Sequence, residues 1–530
     1  MKLQLKSYTI ALLIAPVLTQ PTPNSGTNWT QCTSLKPPNI PGTTIISFKA
    51  QELLNYTVSA VPLLLKNDIS GLNICDVDIV LTHQGAQDQV KVKIWLPLEG
   101  WNGRFLGTGG SGFAAGLFEY SLAPAAGLGY ASASTDAGLS GDPYSPELWA
   151  LTADGKVNTE LLVNFASRSV HDMTVAGKQI STQFYGTKPH HSYWNGCSTG
   201  GRQGLVSAQK YPADFDGIVA GAPAIDWARY VVAEQWPQVV MKEHQTYVDP
   251  CLLKAFTQSA ISACDSFDGV NDNVITEPKR CVFSPFKLVG TSVDCNGKTI
   301  SFTRIIATVI HDILRGPFPK DTSNLYALNL GAPLDYLSNT TVLDGVRKGS
   351  PFFVNDAWLR YFVLKDPSFD TTTIGYSEFK KLFSQSQDEY GEIIGSNNPD
   401  LSGFQKQGGK LIVWHGLSDQ LIFPQGTVNY HHQVEAALKH RVAMDTFYRT
   451  FLVPGVDHCG LGLTNGAVPV DPLSSLVAWV EQDVSPDILD ALASNATGFT
   501  LTRSICRYPL TSRYIGHGDQ NSAANYICVP

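Results

Sequence analysis

The chain has 530 residues, 43% of them hydrophobic and only 16% charged, so it can bury a sizeable core and does not read as disordered. Its 38 basic and 46 acidic side chains leave a formal charge of −8 with no basic tract, which disfavours nucleic acid and anionic membrane surfaces as partners. The length exceeds one simple core and predicts a large domain carrying an insertion, or two to three domains.

The N-terminus, MKLQLKSYTIALLIAPVLTQ, sets Lys2 and Lys6 ahead of a short apolar run from Tyr8 to Leu18. That run is too short to span a bilayer comfortably, and residues 1–20 read as a secretory signal peptide, the competing reading being a buried terminal strand or helix. The ten cysteines, an even number, fit export and a disulfide framework. N-x-[ST] sequons at Asn28, Asn55, Asn339 and Asn495 are candidate glycosylation sites on the surface.

Residues 21–40, rich in Pro, Thr, Asn and Ser, form a lead-in tied down at Cys32. Val77–Leu81 and Gln89–Leu96 alternate apolar and polar residues at period two and predict strands. Phe105–Thr108 is a further short strand running into Gly107-Thr108-Gly109-Gly110-Ser111-Gly112, and Tyr130–Thr135 is a buried strand. Leu161, Leu162, Phe165, Val170, Met173, Val175 and Ile180 recur at near-helical spacing and predict a long helix over 157–184. A strand at His191–Asn195, a helix at Arg202–Lys210 and a strand at Gly217–Gly221 follow, the succession of a parallel α/β sheet. From 226 to 400 this alternation stops, and the segment reads as an inserted lid. Strands at Lys410–Trp414 and Phe447–Val453, with helices at Tyr430–Leu438 and Leu473–Val484, resume the sheet pattern. The expected plan is a discontinuous catalytic domain over 21–225 and 401–530, a lid over 226–400, and a C-terminal tail holding Cys506 and Cys528.

Between the strand at 191 and the helix at 202 lies Gly196-Cys197-Ser198-Thr199-Gly200, a G-x-S-x-G in the strand–turn–helix setting that a nucleophilic serine requires. A glycine-rich turn with an idle serine is the bland alternative. Serine needs a general base, and in α/β-hydrolases acid and then histidine follow it along the chain. Trp414-His415-Gly416-Leu417-Ser418-Asp419 offers the acid Asp419, and Pro454-Gly455-Val456-Asp457-His458-Cys459-Gly460 offers the base His458. Asp457 is a rival acid, but a neighbour of the histidine points elsewhere. Among rival bases, His415 breaks the chain order, and His431 and His432 lie in an expected helix. Cys197 precedes Ser198 and Cys459 follows His458, so a bond between them would fix base against hydroxyl; other partners for both cysteines remain open at this level.

The motifs Gly196-Cys197-Ser198-Thr199-Gly200-Gly201-Arg202 and His458-Cys459-Gly460, with the Asp419 loop between them, resemble the fungal tannase and feruloyl esterase family. Trp101-Asn102-Gly103-Arg104-Phe105, Arg168-Ser169-Val170-His171 and Cys506-Arg507-Tyr508-Pro509 extend the likeness over nearly the whole mature chain. The resemblance implies an α/β-hydrolase core with a lid, secretion, a Cys197–Cys459 bond beside the catalytic pair, and hydrolysis of phenolic-acid esters. It also implies a calcium loop in the lid. By spacing alone Asp265–Ile275 is equally a solvated acidic turn; carried over from the family, its ligands are Asp265, Asp268 and Asp272 through carboxylates and Val270 and Val274 through main-chain oxygens. Asn273 stands where the family often has glycine.

Within this reading Ser198, Asp419 and His458 form the triad, and the Thr199 and Gly110 N–H groups face the oxyanion. Cys264–Cys281 and Cys506–Cys528 are local pairs, Cys32–Cys75 is reasonable, and Cys251–Cys295 follows by elimination. Trp227-Ala228-Arg229-Tyr230 to Trp236 either lines an aromatic acyl pocket or packs the lid. The expected activity is a secreted serine esterase of feruloyl esterase or tannase type, acting on a small-molecule or plant-polymer aromatic ester, with structural calcium and no organic cofactor. A carboxylesterase for fungal secondary-metabolite esters, a catalytically unused hydrolase-fold binding protein and a protease are the alternatives.

Overall fold

Three apolar side chains on one face of a strand find their counterparts on the next. Val77, Ile79 and Leu81 of β2 (Ile69–His83) are fully buried and stand opposite Ile94, Val92 and Val90 of β3 (Val90–Pro97). The period-two pattern fixes this antiparallel register, because a one-residue slip would turn all of them outward. The computed structural model describes residues 29–318, 325–438, 444–494 and 500–530. The expected signal peptide and the sequons at Asn28 and Asn495 lie outside the described residues; Asn55 and Asn339 are exposed.

These strands belong to a nine-stranded sheet. In chain order it contains β1 (Thr43–Val58), β2, β3, β4 (Arg104–Thr108), β5 (Ala131–Thr135), β6 (His191–Cys197), β7 (Gly217–Gly221), β8 (Lys410–Gly416) and β9 (Tyr448–Val453). In space the order is β1-β2-β3-β5-β4-β6-β7-β8-β9. Everything from β5 to β9 is parallel, while β1, β2 and β3 are joined antiparallel. Parallel strands covered on both faces read as continuous buried runs, and every residue of β5 and β7 is buried. The crossovers carry helices α1 (Glu119–Gly127), α2 (Ser169–Tyr185), α3 (Thr199–Lys210) and α4 (Pro424–Leu438), and α5 (Pro472–Gln482) closes the sheet. This is the expected α/β-hydrolase architecture.

The long helix expected at 157–184 is interrupted. A wide π-type turn at Asn164–Arg168 separates Thr159–Val163 from α2. Arg202 of α3 packs against this turn; it is 0% exposed and has no carboxylate partner among the described residues. The guanidinium instead donates to two carbonyls of the wide turn, those of Ala166 (2.8 Å) and Phe165 (3.0 Å). It also lies 4.9 Å from the centre of the Phe165 ring. Burial lowers its affinity for a proton to a pKa of about 10.

Between Gly221 and Lys410 the described chain adds no strand to this sheet. It forms helices at Trp227–Ala233, Trp236–Glu243, Pro250–Cys264, Arg304–Leu314 and Tyr376–Ile394, with two small hairpins. Their apolar faces pack on Phe113, Trp149 and Phe165 in one continuous core. Trp227, Tyr230 and Trp236 are buried in it, so this aromatic run packs the core of the inserted segment. The C-terminal segment is more regular than the expected tail. Val468–Pro469, Ile488–Ser494 and Thr500–Cys506 form a three-stranded antiparallel sheet, and Thr511–Tyr514 pairs with Tyr526–Val529.

All cysteines are paired, as Cys32–Cys75, Cys197–Cys459, Cys251–Cys295, Cys264–Cys281 and Cys506–Cys528. Among the described residues no helix is long and apolar enough to cross a membrane.

Candidate active site

The turn between β6 and α3 is possible only because its neighbours lack side chains. A Cβ at Gly196 would lie 2.7 Å from the main chain of Gly200, and one at Gly201 would lie 2.4 Å from the Gly221 oxygen. Ser198 sits at the bend with φ 63° and ψ −122°, a region costly for a non-glycine residue. Its N–H donates to the Gly221 carbonyl (3.0 Å), which anchors the bend to β7. Thr199 opens α3, so its N–H has no acceptor inside the helix and faces outward with the positive end of the helix dipole.

The glycine-rich turn after β4 is locked onto the same helix. Gly200 N–H donates to the Gly110 carbonyl (3.1 Å), and the Thr199 hydroxyl donates to the Gly112 carbonyl (2.7 Å). The Gly110 N–H, expected to face an oxyanion, instead donates to the buried Gln203 Oε1 at 3.0 Å. Gln203 Nε2 in turn donates to the Ala115 carbonyl (2.9 Å), so the amide is held from both ends. Gly110 therefore fixes the loop and does not supply the second donor. The motif carries no sign of this, because Gln203 lies one helical turn past it.

The acid loop follows β8. Asp419 is fully buried, and its Oδ1 accepts the N–H groups of Leu421 and Ile422, both at 2.8 Å. Its Oδ2 accepts from His458 Nδ1 at 2.8 Å. Burial by itself would raise this carboxyl, but the His458 charge and the hydrogen bonds from His415 and His458 outweigh it and hold the group well below the usual carboxylate range. His458 is held by its own N–H on Gln420 Oε1 (3.0 Å), and its Nε2 lies 3.7 Å from Cys459 Sγ. The Cys197–Cys459 bond sets their Cα atoms 6.0 Å apart, so the serine bend and the histidine loop are adjacent across 262 residues of sequence. Among the described residues the Ser198 hydroxyl forms no hydrogen bond within the protein; such contacts tighten in substrate complexes.

The rival residues are occupied elsewhere. Asp457 accepts the N–H groups of Gly462 (3.3 Å) and Leu463 (2.5 Å) and turns away from the ring. His431 meets Thr450 Oγ1 at 3.0 Å and His432 meets the Tyr508 hydroxyl at 3.1 Å, both apart from the serine bend. His415, unsuited as a base by chain order, contacts Asp419 itself, with Nε2 3.1 Å from Oδ2. Glu234 of the lid, which no motif marks, is 2% exposed with no partner for Oε2 among the described residues. Burial, reinforced by the Asp419 charge, pushes its carboxyl well above the ordinary range.

The acidic loop of the lid folds on itself. Asp265 Oδ1 accepts the N–H groups of Asp272 (3.1 Å) and Val274 (3.2 Å), and Asp268 Oδ1 accepts that of Val270 (3.0 Å). Asp272 Oδ2 accepts from Arg503 at 2.6 Å, while its Oδ1 is buried without a partner. Burial raises the Asp272 carboxyl, Arg503 opposes the rise, and the charges of Asp268 and Asp265 add to it. The buried Asp272 Oδ1 is an orphaned oxygen of the kind a hard cation satisfies, although the three carboxylates do not converge on one point in this structure.

The family model for tannase and feruloyl esterase matches residues 75–529. A probable feruloyl esterase of Arthroderma benhamiae is 46% identical over 502 residues, covering 94% of this chain and 93% of that protein. A probable feruloyl esterase B-2 of Aspergillus fumigatus is 32% identical, covering 87% and 88%. Among solved structures, the tannin acyl hydrolase of Aspergillus niger superposes with a TM-score of 0.83 at 25% identity, covering 93% of this chain and 92% of that one. Feruloyl esterase B of Aspergillus oryzae gives 0.75 at 28%, covering 93% and 97%.

Proposed function

This chain belongs to the tannase and feruloyl esterase family, and from that premise we propose that it hydrolyses esters of phenolic acids through an acyl-enzyme on Ser198. The observation that carries the assignment is the Cys197–Cys459 bond, which sets the serine bend against a histidine whose Nδ1 already lies on Asp419. Because Nδ1 faces the carboxylate, the ring keeps its hydrogen there and leaves Nε2 free as the base. Ser198 Oγ attacks the ester carbonyl as Nε2 takes its proton. The tetrahedral oxyanion meets the Thr199 N–H at the positive end of α3. Collapse breaks the ester C–O bond, and the Nε2 proton goes to the leaving alcohol. A water activated by the same nitrogen then attacks the acyl-enzyme, releasing the phenolic acid and restoring the Ser198 hydroxyl.

The lid loop supports a structural calcium held by Asp265, Asp268 and Asp272 carboxylates with the main-chain oxygens of Val270 and Val274. The ion would neutralise a carboxylate cluster whose Asp272 also ties the lid to the C-terminal sheet through Arg503. Five disulfides need an oxidising compartment, which supports secretion directed by residues 1–20, with glycan attachment at the exposed Asn55 and Asn339.

Hydrolysis of methyl ferulate, methyl gallate and a simple aliphatic ester by wild type and Ser198→Ala tests the reading and ranks the acyl group. Wild type should prefer the aromatic esters, and the variant should lose at least about 10³-fold in kcat with an unchanged fold. Appreciable turnover by Ser198→Ala would remove the serine from the mechanism.

A further inference from the structure

The triad leaves one buried imidazole unexplained. His415 closes β8, is 0% exposed and lies within a few ångströms of the acid, yet it cannot reach the place of a base, because Asp419 stands on its reactive side. We propose that His415 is a positioning residue that fixes the rotation of the Asp419 carboxylate, and through it the orientation of His458. This rests on the triad assigned above.

The hydrogen-bond pattern dictates the role. His415 Nε2 faces two acceptors, Asp419 Oδ2 at 3.1 Å and the Ile422 carbonyl at 3.1 Å, so Nε2 must carry a hydrogen. Nδ1 faces the Thr427 hydroxyl at 2.7 Å, which can donate to it. The network therefore assigns the Nε2–H tautomer, with its hydrogen shared between the carboxylate and the carbonyl. Thr427 sits in α4 and Ile422 in the loop before it, so one ring clamps β8, the acid loop and α4 together.

Counting acceptors shows what the clamp does. An ionised carboxylate offers about four lone-pair directions. Asp419 Oδ1 spends its two on Leu421 and Ile422 N–H, and Oδ2 divides its two between His458 Nδ1 and His415 Nε2. All four directions are filled, so the carboxyl plane cannot turn without breaking a hydrogen bond between fully buried groups. Without His415, Oδ2 keeps one donor only, the catalytic ring itself. The carboxylate then shifts toward whatever else can satisfy it, and His458 follows. Small misplacements of this kind cost up to about 10²-fold in rate. The loss falls on kcat, because His415 touches neither the acyl nor the alcohol side of the substrate.

The test compares His415→Gln, His415→Asn and His415→Leu with wild type and Ser198→Ala, reading kcat, KM and melting temperature. A glutamine amide reaches the position of Nε2, whereas an asparagine amide reaches only that of Nδ1. Gln should therefore retain kcat within about threefold, and Asn and Leu should lose about 10- to 100-fold with KM within about twofold. Should the Leu variant fail to fold, the Gln–Asn contrast decides. Wild-type kcat in the Leu or Asn variant overturns the proposal, as does an equal loss in all three. Activity in Ser198→Ala would instead overturn the triad and this proposal with it, while an inactive Ser198→Ala beside undiminished His415 variants leaves the triad standing.

Discussion

Removing the Cys197–Cys459 bond separates two effects that a disulfide combines. In the chain-entropy account a link closing 262 residues stabilises by about 5.6 kcal/mol, and the nested Cys251–Cys295 link trims this by only about 0.2 kcal/mol because the dependence is logarithmic. A chain of 530 residues has an unfolding entropy of about 1.1 kcal/mol/K, so the double variant Cys197→Ala/Cys459→Ala should melt up to about 5 °C lower. The second effect is positional. The bond sits one residue from Ser198 and one from His458, and without it the serine bend and the histidine loop meet only through non-covalent contacts. We expect kcat on methyl ferulate to fall about 10²-fold at a temperature well below melting. Cys506→Ala/Cys528→Ala is the control. That link closes 22 residues of the C-terminal segment, is worth about 3.4 kcal/mol by the same relation, and should lower the melting temperature with kcat intact. A Cys197/Cys459 variant with kcat within twofold of wild type, or a control that loses as much activity, refutes the positional argument.

Chelation addresses the lid loop. If calcium is present at about a hundred times its dissociation constant it contributes about 2.7 kcal/mol, so excess EGTA should lower the melting temperature by about 2–3 °C and added calcium should restore it. Elemental analysis that finds no bound calcium, together with an unchanged melting temperature, would dismiss the ion. Glu234 gives a pH signature. Its folded-state pKa is raised, so above the unfolded value the unfolded chain holds fewer protons at this group, and stability falls as pH rises. Glu234→Gln removes that dependence. The variant should match wild type near pH 4 and melt progressively higher than wild type toward pH 7; a constant difference across that range would mean that the carboxyl is ionised in the folded protein.

How much of this was legible in the residues depends on whether the information is local. The strand and helix faces carry their periods in short windows, so β3, β6, α3 and β7 emerge from the sequence with boundaries shifted by a few residues, while of β2 only the second half is read. The serine bend is legible for the same reason. Gly196 and Gly201 are demanded by approaches of 2.7 and 2.4 Å that no other residue permits, and the motif records that demand within a few positions. Tertiary partners leave no such trace. The wide turn at Asn164–Arg168 presents two carbonyls to Arg202, a partner more than thirty positions away. The C-terminal sheet departs from this rule: its strands pair with near neighbours in sequence, and Leu489 and Ala491 alternate with exposed residues at period two, so its signal is local. His415 is the sharpest case. Chain order sets it aside as the base, and nothing local states its other use, because a hydrogen bond to Asp419 Oδ2 has meaning only once Oδ1 is filled by Leu421 and Ile422 and the remaining direction by His458. A catalytic motif names the groups that meet the substrate. The groups that hold them still are chosen by whatever hydrogen-bonding capacity the fold leaves over, and that is settled only when the chain has closed around them.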